Sequence, residues 1–231
     1  KTWLEQLGDL ELVPEAEAPG ASEINYETIL DGDRLEHWLK LLEQSEYFAF
    51  DTETTSLNYI EAEVVGLSFS VAPGSAAYVP VAHDYDDAPT QLDRAFVLER
   101  MRTLLQDPDR AKLGHHLKYD RNVLLNHGIE LNGIEFDTML ESYVLNSVAS
   151  RHDLDTLVSK HLGRNTIHFE DVAGKGVKQI GFNKVALEQA APYAAEDAEA
   201  CLCLHRLLLP RLHESGALLS VFTDIERPLI P

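Results

Sequence analysis

The sequence predicts an α/β fold in which a mixed β-sheet is flanked by α-helices. First, apolar residues follow the two-residue period of strands in some segments and the helical period in others. Second, strand-like segments are concentrated early in the chain, and helix-like segments dominate later. Third, 231 residues with a hydrophobic content of 45% can bury one sizeable core.

The first half of the chain contains most of the predicted sheet. Strands are predicted over residues 24–30, 47–51, 64–71, 76–81 and 112–115. A helix is predicted over 33–44, where Leu35, Trp38, Leu39 and Leu42 share one face. A second amphipathic helix is predicted over 92–106. Strands and helices therefore alternate in this half.

The chain from Lys118 onward is predicted to be mostly helical. The segment 117–128 has helical spacing and ends at Gly128, a residue typical of helix C-termini. A long helix is predicted over 193–209. Because proline suits the first turn of a helix, we expect a new helix to begin near Pro192.

The charge balance limits what the protein can bind. Lys and Arg total 19 and Asp and Glu total 39, which gives a formal net charge of −20. This argues against broad electrostatic binding of duplex DNA or anionic membranes, so a phosphate contact must be local or metal-mediated. No segment has the length of a membrane span or the pattern of a signal peptide. We expect a cytoplasmic protein.

The two ends are typical of a fragment of a longer polypeptide. The chain begins without methionine, and residues 14–20 have the Pro, Ala and Glu content of a linker. We expect a linker remnant over 1–22, one main domain over 23–218, and the start of a further domain over 219–231.

Acidic residues occupy three separated positions that could form one site. Asp51 and Glu53 end an apolar strand and point to the same face, where two like charges are costly without a cation. Asp120 lies in the first turn of a predicted helix, and Tyr193 and Asp197 share one face of a later helix. Taken singly, each acid is equally explained as a capping or surface charge.

The combination of these motifs is more specific than any one of them. FDTET, LKYD and YxxxD, in this order, resemble the motifs of the DEDDy 3′–5′ exonucleases. FAFDTETTSL, YVPVAHDY, LKYDRNVL, FDTMLESYVLNSV, RHDL, AGKG and YAAEDA are similar to the proofreading exonuclease domain of bacterial family A DNA polymerases. The similarity runs from about Ile24 to Pro231. It implies a ribonuclease H-like α/β fold, with a 5′-nuclease domain before this segment and a polymerase domain after it.

The resemblance implies a metal-dependent enzyme that removes 3′-terminal nucleotides from single-stranded or frayed DNA as 5′-monophosphates. Two divalent ions are implied, with Mg²⁺ expected and Mn²⁺ or Zn²⁺ as alternatives. Asp51 would bridge both ions, Glu53 and Asp197 would complete the first site, and Asp120 would serve the second. Tyr193 would orient the attacking water with Glu53, because a pKa near 10 makes a tyrosine a poor base.

The resemblance also implies contacts with the DNA strand. The implied contact residues are Thr54, Leu57, His116, Tyr119, Arg151 and Phe169. Leu57 and Phe169 would stack or wedge against terminal bases, and Arg151 would contact a phosphate or sugar. For Phe169 alone, ordinary core packing is the simpler interpretation.

Two departures from the family pattern bear on the pose of the substrate. His115 and His116 stand where the family commonly has Gln-Asn, and Pro192 stands beside the expected catalytic tyrosine. Neither change affects an expected metal ligand.

Two other functions remain open from the sequence. An RNA-trimming enzyme resembling ribonuclease D would carry the same acids and tyrosine, and a silent scaffold for the polymerase would have lost acids that are all present here. The partners implied by the first interpretation are a single-stranded 3′ end of DNA and the polymerase and 5′-nuclease domains of the same polypeptide. The implied roles are DNA replication and repair in the bacterial nucleoid, and the fragment is expected to be monomeric and free of membranes.

Overall fold

The computed structural model describes residues 24–148 and 151–230. Within these residues, six β-strands form a single sheet and eight α-helices surround it, which confirms the predicted α/β class. The linker predicted over 1–22 lies outside the described residues. No helix in the described part is both long enough and apolar enough to cross a membrane.

The sheet is mixed, with the strand order β1-β4-β3-β2-β5-β6. The strands are β1 (Asn25–Thr28), β2 (Tyr47–Thr54), β3 (Val64–Ala72), β4 (Ser75–Pro80), β5 (Ala111–Gly114) and β6 (Ile134–Asp137). Strands β2, β3 and β4 are antiparallel neighbours. The pairs β1–β4, β2–β5 and β5–β6 are parallel. Strand β2, which carries the first acid motif, is therefore an inner strand.

Half of the eight α-helices in the described residues are capped by an aspartate. The helices are α1 (Gly32–Gln44), α2 (Arg94–Gln106), α3 (Leu117–Asn126), α4 (Thr138–Leu145), α5 (Leu154–Leu162), α6 (Phe169–Ala173), α7 (Leu187–Glu214) and α8 (Gly216–Val221). Asp31, Asp93, Asp137 and Asp153 accept hydrogen bonds from backbone N–H groups in the first turns of α1, α2, α4 and α5. These caps satisfy donors that have no partner inside a helix.

Helices cover both faces of the sheet. One face packs against α1, α2 and α3 through a large apolar core that includes Phe48, Phe50, Leu67 and Phe69. The alternate residues of β2 and β3 point to the opposite face, where α7 contacts strands β1 to β5. The two faces thus have different roles, and the acids of β2 lie under α7.

Small side chains let α7 approach the sheet closely. The sheet presents Ala49, Ser68, Ser70, Ala76 and Gly66 on this face, and α7 presents alanines at positions 190, 191, 194, 195 and 198. The distance between packed elements depends on the size of the side chains between them. Close packing therefore brings the acids of α7 near those of β2.

The structure corrects two predictions. Strand β6 was not predicted, because it lies in the part of the chain that was predicted to be mostly helical and runs directly into α4; its parallel pairing with β5 makes it a strand. A helix start near Pro192 is also wrong, since α7 begins at Leu187 and runs through the proline. Packing of the alanine face against the sheet outweighs the local cost of the proline.

The C-terminal residues pack against the same body. Helix α8 is followed by short helical turns over Phe222–Glu226 and Arg227–Leu229. Phe222 and Ile230 are buried, the Lys118 Nζ donates to the Leu229 carbonyl over 2.8 Å, and Arg227 pairs with Glu135. Residues after the domain boundary expected near residue 219 therefore contact the main domain.

Candidate active site

Strand β2 places two acids on the face covered by α7. In the antiparallel pairing with β3, Asp51 is opposite Ser68 and Glu53 is opposite Gly66. Directly opposite residues in such a pair point to the same face. Asp51 is half-buried, and Glu53 is 8% exposed. Two neighbouring carboxylates are therefore held in an environment that largely excludes water.

Helix α3 adds a third acid next to the first two. Asp120 lies in the first turn of this helix and is 2% exposed. Its Oδ1 accepts hydrogen bonds from the Thr52 backbone N–H over 3.0 Å and from the Thr52 hydroxyl over 2.5 Å. Thr52 lies between the two acids of β2, so these bonds fix the helix start beside them.

Helix α7 contributes Asp197 and Tyr193, which are one turn apart. Burial raises the pKa of Asp197 well above its usual value, and the nearby charge of Asp51 raises it further. Burial, followed by the charges of Asp197, Glu53 and Asp51, raises the pKa of the Tyr193 phenol. The tyrosine is therefore close to all three acids and stays protonated.

The acids interact with one another electrostatically. Burial raises the pKa of Asp51 to about 6. Burial and the charges of Asp51, Asp197 and Asp120 raise the pKa of Glu53, and burial with the charge of Asp51 raises that of Asp120. Burial thus raises the pKa of all three carboxyl groups, and like charge adds to the shift of Glu53 and Asp120.

No basic side chain in residues 24–148 and 151–230 forms an ion pair with any of the four acids. Carboxylate oxygens are the donors that hard divalent cations prefer. The donor set therefore fits such a cation. Over the same described residues, no three His, Cys, Asp or Glu side chains surround a single point that could hold a metal ion.

Three predicted substrate residues lie beside this cluster. The Thr54 hydroxyl, at the end of β2, is 2.5 Å from the Tyr119 hydroxyl, which also donates to the Ser56 carbonyl over 2.5 Å. Phe169 begins α6, and its ring centroid is 6.2 Å from that of Tyr193. These contacts connect the predicted substrate residues to the elements that carry the acids.

The other three predicted substrate residues are exposed. Leu57 is 94% exposed in the segment after β2. His116 precedes α3 with a left-handed backbone (φ 65°) and makes no side-chain cap. Arg151 is exposed in the segment before α5. All three side chains are accessible to a ligand.

A buried hydrogen-bonded chain behind the acids was not predicted. The Tyr78 hydroxyl is 2.8 Å from His83 Nε2, and His83 Nδ1 is 3.0 Å from the Val185 carbonyl. A carbonyl can only accept, so Nδ1 carries the proton and Nε2 accepts from Tyr78. Burial and then the charges of Glu53 and Asp51 raise the pKa of Tyr78. The segment YVPVAHDY contains both side chains but did not indicate their contact.

Phe182 is a second residue that the sequence did not indicate. It is buried, and its ring centroid lies 5.7 Å from Tyr193, 5.6 Å from His83 and 6.2 Å from Phe169. The ring therefore packs between the buried histidine and the tyrosine of the site. Nothing local distinguishes this phenylalanine from other core residues.

Comparison with known proteins supports a nuclease. A family model described as 3′–5′ exonuclease matches residues 26–213. DNA polymerase I of Pseudomonas aeruginosa is 54% identical over 94% of this chain, and that of Rhizobium leguminosarum is 39% identical over 89%. The chain spans 24% and 22% of these two relatives, about a quarter of their length.

A solved structure shows a related fold. Escherichia coli RNase D, an exoribonuclease, superposes with a TM-score of 0.66 and 20% identity, over 90% of this chain and 50% of that one. This likeness confirms the ribonuclease H-like fold that the sequence motifs imply.

Proposed function

Because the chain belongs to the family of 3′–5′ exonuclease domains found in bacterial DNA polymerase I, we propose that it removes nucleotides from the 3′ end of DNA for proofreading. The substrate is a single-stranded or frayed end, and the products are 5′-mononucleotides. The observation that supports this most directly is the cluster of four buried or half-buried acids beside Tyr193, without a basic partner in the described part of the chain.

Two divalent cations, with Mg²⁺ preferred, would be held by Asp51, Glu53, Asp120 and Asp197. Bound there, they would supply charge stabilisation at the scissile phosphate and make water a better nucleophile. The protein's part is to hold carboxylates that are already desolvated and unpaired. The Thr52 contacts to Asp120 fix one of them, so that little reorganisation is needed on binding.

Tyr193 and Glu53 would orient the attacking water. The raised pKa keeps the tyrosine hydroxyl protonated, so it acts as a hydrogen-bonding group and not as a base. The Glu53 carboxylate accepts a hydrogen bond from the same water. Phe169 and Phe182 pack on the tyrosine ring and restrict its position. A fixed ring holds the water in line with the phosphate.

The strand end would lie over the rim of this site. Leu57 presents an exposed apolar side chain that can contact a terminal base, and Phe169 lies beside the tyrosine. Thr54, Tyr119 and His116 would contact the last sugar and phosphate, and Arg151 would supply one local positive charge. With a net charge of −20, binding depends on such local contacts and on the metal ions.

The partners of this activity would be domains of one longer polypeptide. The chain corresponds to about a quarter of DNA polymerase I in two bacteria, so a polymerase domain and a 5′-nuclease domain would accompany it. The exonuclease would then receive 3′ ends that the polymerase has just extended.

The test uses single-stranded DNA and RNA oligonucleotides labelled at the 5′ end. With Mg²⁺, we expect a ladder of DNA products shortened from the 3′ end, little digestion of RNA, and no digestion in chelator. Asp51→Ala should abolish the activity without loss of folding. Digestion of RNA at the same rate as DNA would favour the RNA-trimming alternative, and a native rate in Asp51→Ala would refute the site.

A further inference from the structure

Ser68 lies at the centre of the acid-bearing face of the sheet. It is opposite Asp51 in the β2–β3 pairing and opposite Tyr78 in the β3–β4 pairing. Residues directly opposite in antiparallel strands have Cβ atoms about 5 Å apart and share a face. The hydroxyl of Ser68 is therefore a direct neighbour of the Asp51 carboxylate.

This hydroxyl is buried and has no partner. Ser68 is 0% exposed, and its Oγ makes no hydrogen bond to any residue in the described part of the chain. Buried side-chain polar groups are nearly always hydrogen-bonded, because leaving one unpaired costs free energy. An unpaired hydroxyl at this position therefore requires an explanation.

The neighbouring Ser70 shows what a structural serine on the same strand looks like. Ser70 is equally buried and points to the same face. Its hydroxyl donates to the Ser75 carbonyl over 2.8 Å, with the Ala72 carbonyl 3.3 Å away. Ser70 thus stabilises the β3–β4 turn, whereas Ser68 has no comparable role.

We propose that Ser68 is a positioning residue that donates a hydrogen bond to the Asp51 carboxylate when that carboxylate binds a divalent cation. A carboxylate has about four lone-pair sites, so Asp51 can bind a cation and still accept a hydrogen bond from Ser68. A hydrogen bond to a metal-ligating carboxylate orients it and strengthens its binding. This inference rests on the proposed function and adds to it a residue outside the recognised motifs.

The experiment compares Ser68→Ala, the matched control Ser70→Ala and the native chain. Thermal unfolding in chelator measures the stability of each protein without metal. Cation binding is measured by titration with Mn²⁺. Calorimetry and the rise in melting temperature are the two readouts. Ser68→Ala should melt in chelator at or above the native temperature and bind Mn²⁺ about tenfold more weakly. Ser70→Ala should melt lower and bind Mn²⁺ as the native chain does.

The exonuclease rate supplies an independent readout. Ser68→Ala should need about tenfold more Mn²⁺ for its half-maximal rate and approach the native rate at saturation. Native Mn²⁺ affinity in Ser68→Ala, or a loss of stability in chelator like that of Ser70→Ala, would overturn the inference alone. Failure of the native chain to bind Mn²⁺ would overturn both the inference and the proposed function.

Discussion

At the scale of single residues, burial raises the carboxyl pKa of all four acids, and nearby like charges raise it further for Glu53, Asp120 and Asp197. No basic side chain in the described residues pairs with these acids. A residue selected for stability would be paired or exposed. Without a cation, these residues instead hold protons to higher pH than usual, and a bound divalent cation would replace those protons.

A pH dependence follows from the raised pKa of Asp51. The folded protein holds this proton up to about pH 6, while an unfolded aspartate releases it near pH 4. The contribution of Asp51 to the free energy of unfolding is therefore fully present below pH 4, and it is lost as the pH rises through 6. In chelator, Asp51→Asn should therefore gain stability relative to the native chain between pH 4 and 7. Melting curves of both proteins across this pH range test the prediction. A difference in stability that does not change with pH would contradict it.

Tyr193 offers a test of roles within the site. If its hydroxyl only orients water, Tyr193→Phe should slow hydrolysis by roughly ten- to a thousandfold. Loss of a metal ligand in Asp197→Ala should cost considerably more. Single-turnover rates at saturating Mg²⁺ make the comparison, and equal losses in the two variants would contradict the ranking.

At the scale of elements, α7 decides the geometry of the site. It carries two of the site residues on a helix that packs across five strands through alanines. Pro192 lies inside this helix, and its missing N–H leaves the Glu188 carbonyl without the usual partner. The helix therefore carries a local cost directly beside Tyr193.

Replacing this proline should stabilise the protein. Pro192→Ala restores a helical hydrogen bond and removes the clash of the proline ring with the Glu188 carbonyl, which together are worth up to about 3 kcal/mol. The greater entropy of the unfolded alanine chain offsets about 1 kcal/mol of this gain. We expect a gain of about 2 kcal/mol in the free energy of unfolding, measured by urea denaturation. The control is Pro210→Ala, which removes the other proline of this helix at a position away from the acids. A loss of stability in Pro192→Ala would show that the proline is required.

At the scale of the whole molecule, the net charge of −20 opposes contact with a polyanion. Under the proposed function, we therefore expect binding of a single strand to depend on cations at the acid cluster. Fluorescence anisotropy of a short labelled DNA strand should show binding in Ca²⁺, which we expect to support little hydrolysis, and none in chelator.

The salt dependence of this binding is a second measure. Few phosphate contacts predict a shallow slope of affinity against salt, near −1 on logarithmic axes for one or two contacts. Arg151→Ala should weaken binding in Ca²⁺. Equal affinity in chelator and in Ca²⁺ would contradict the dependence on cations.

The sequence by itself determined the fold class, most elements and the candidate site residues. Periodicity indicates β1 to β5 and helices α1 to α3, because the alternation of buried and exposed positions in these elements follows from residues close together in the sequence. The acids could be found because their spacing places them at strand ends and on helix faces, and because the motifs occur in a recognisable order. These features need no knowledge of contacts between distant residues.

Only the tertiary structure decided how these parts meet. His83 and Val185 are separated by 102 positions, and their hydrogen bond leaves no local pattern. Strand β6 exists because β5 pairs with it, and α7 continues through Pro192 because the sheet supports its alanine face. The unpaired hydroxyl of Ser68 likewise becomes visible only when β3 is aligned between β2 and β4. Burial and pairing across strands are properties of the folded chain, and local sequence cannot encode them alone.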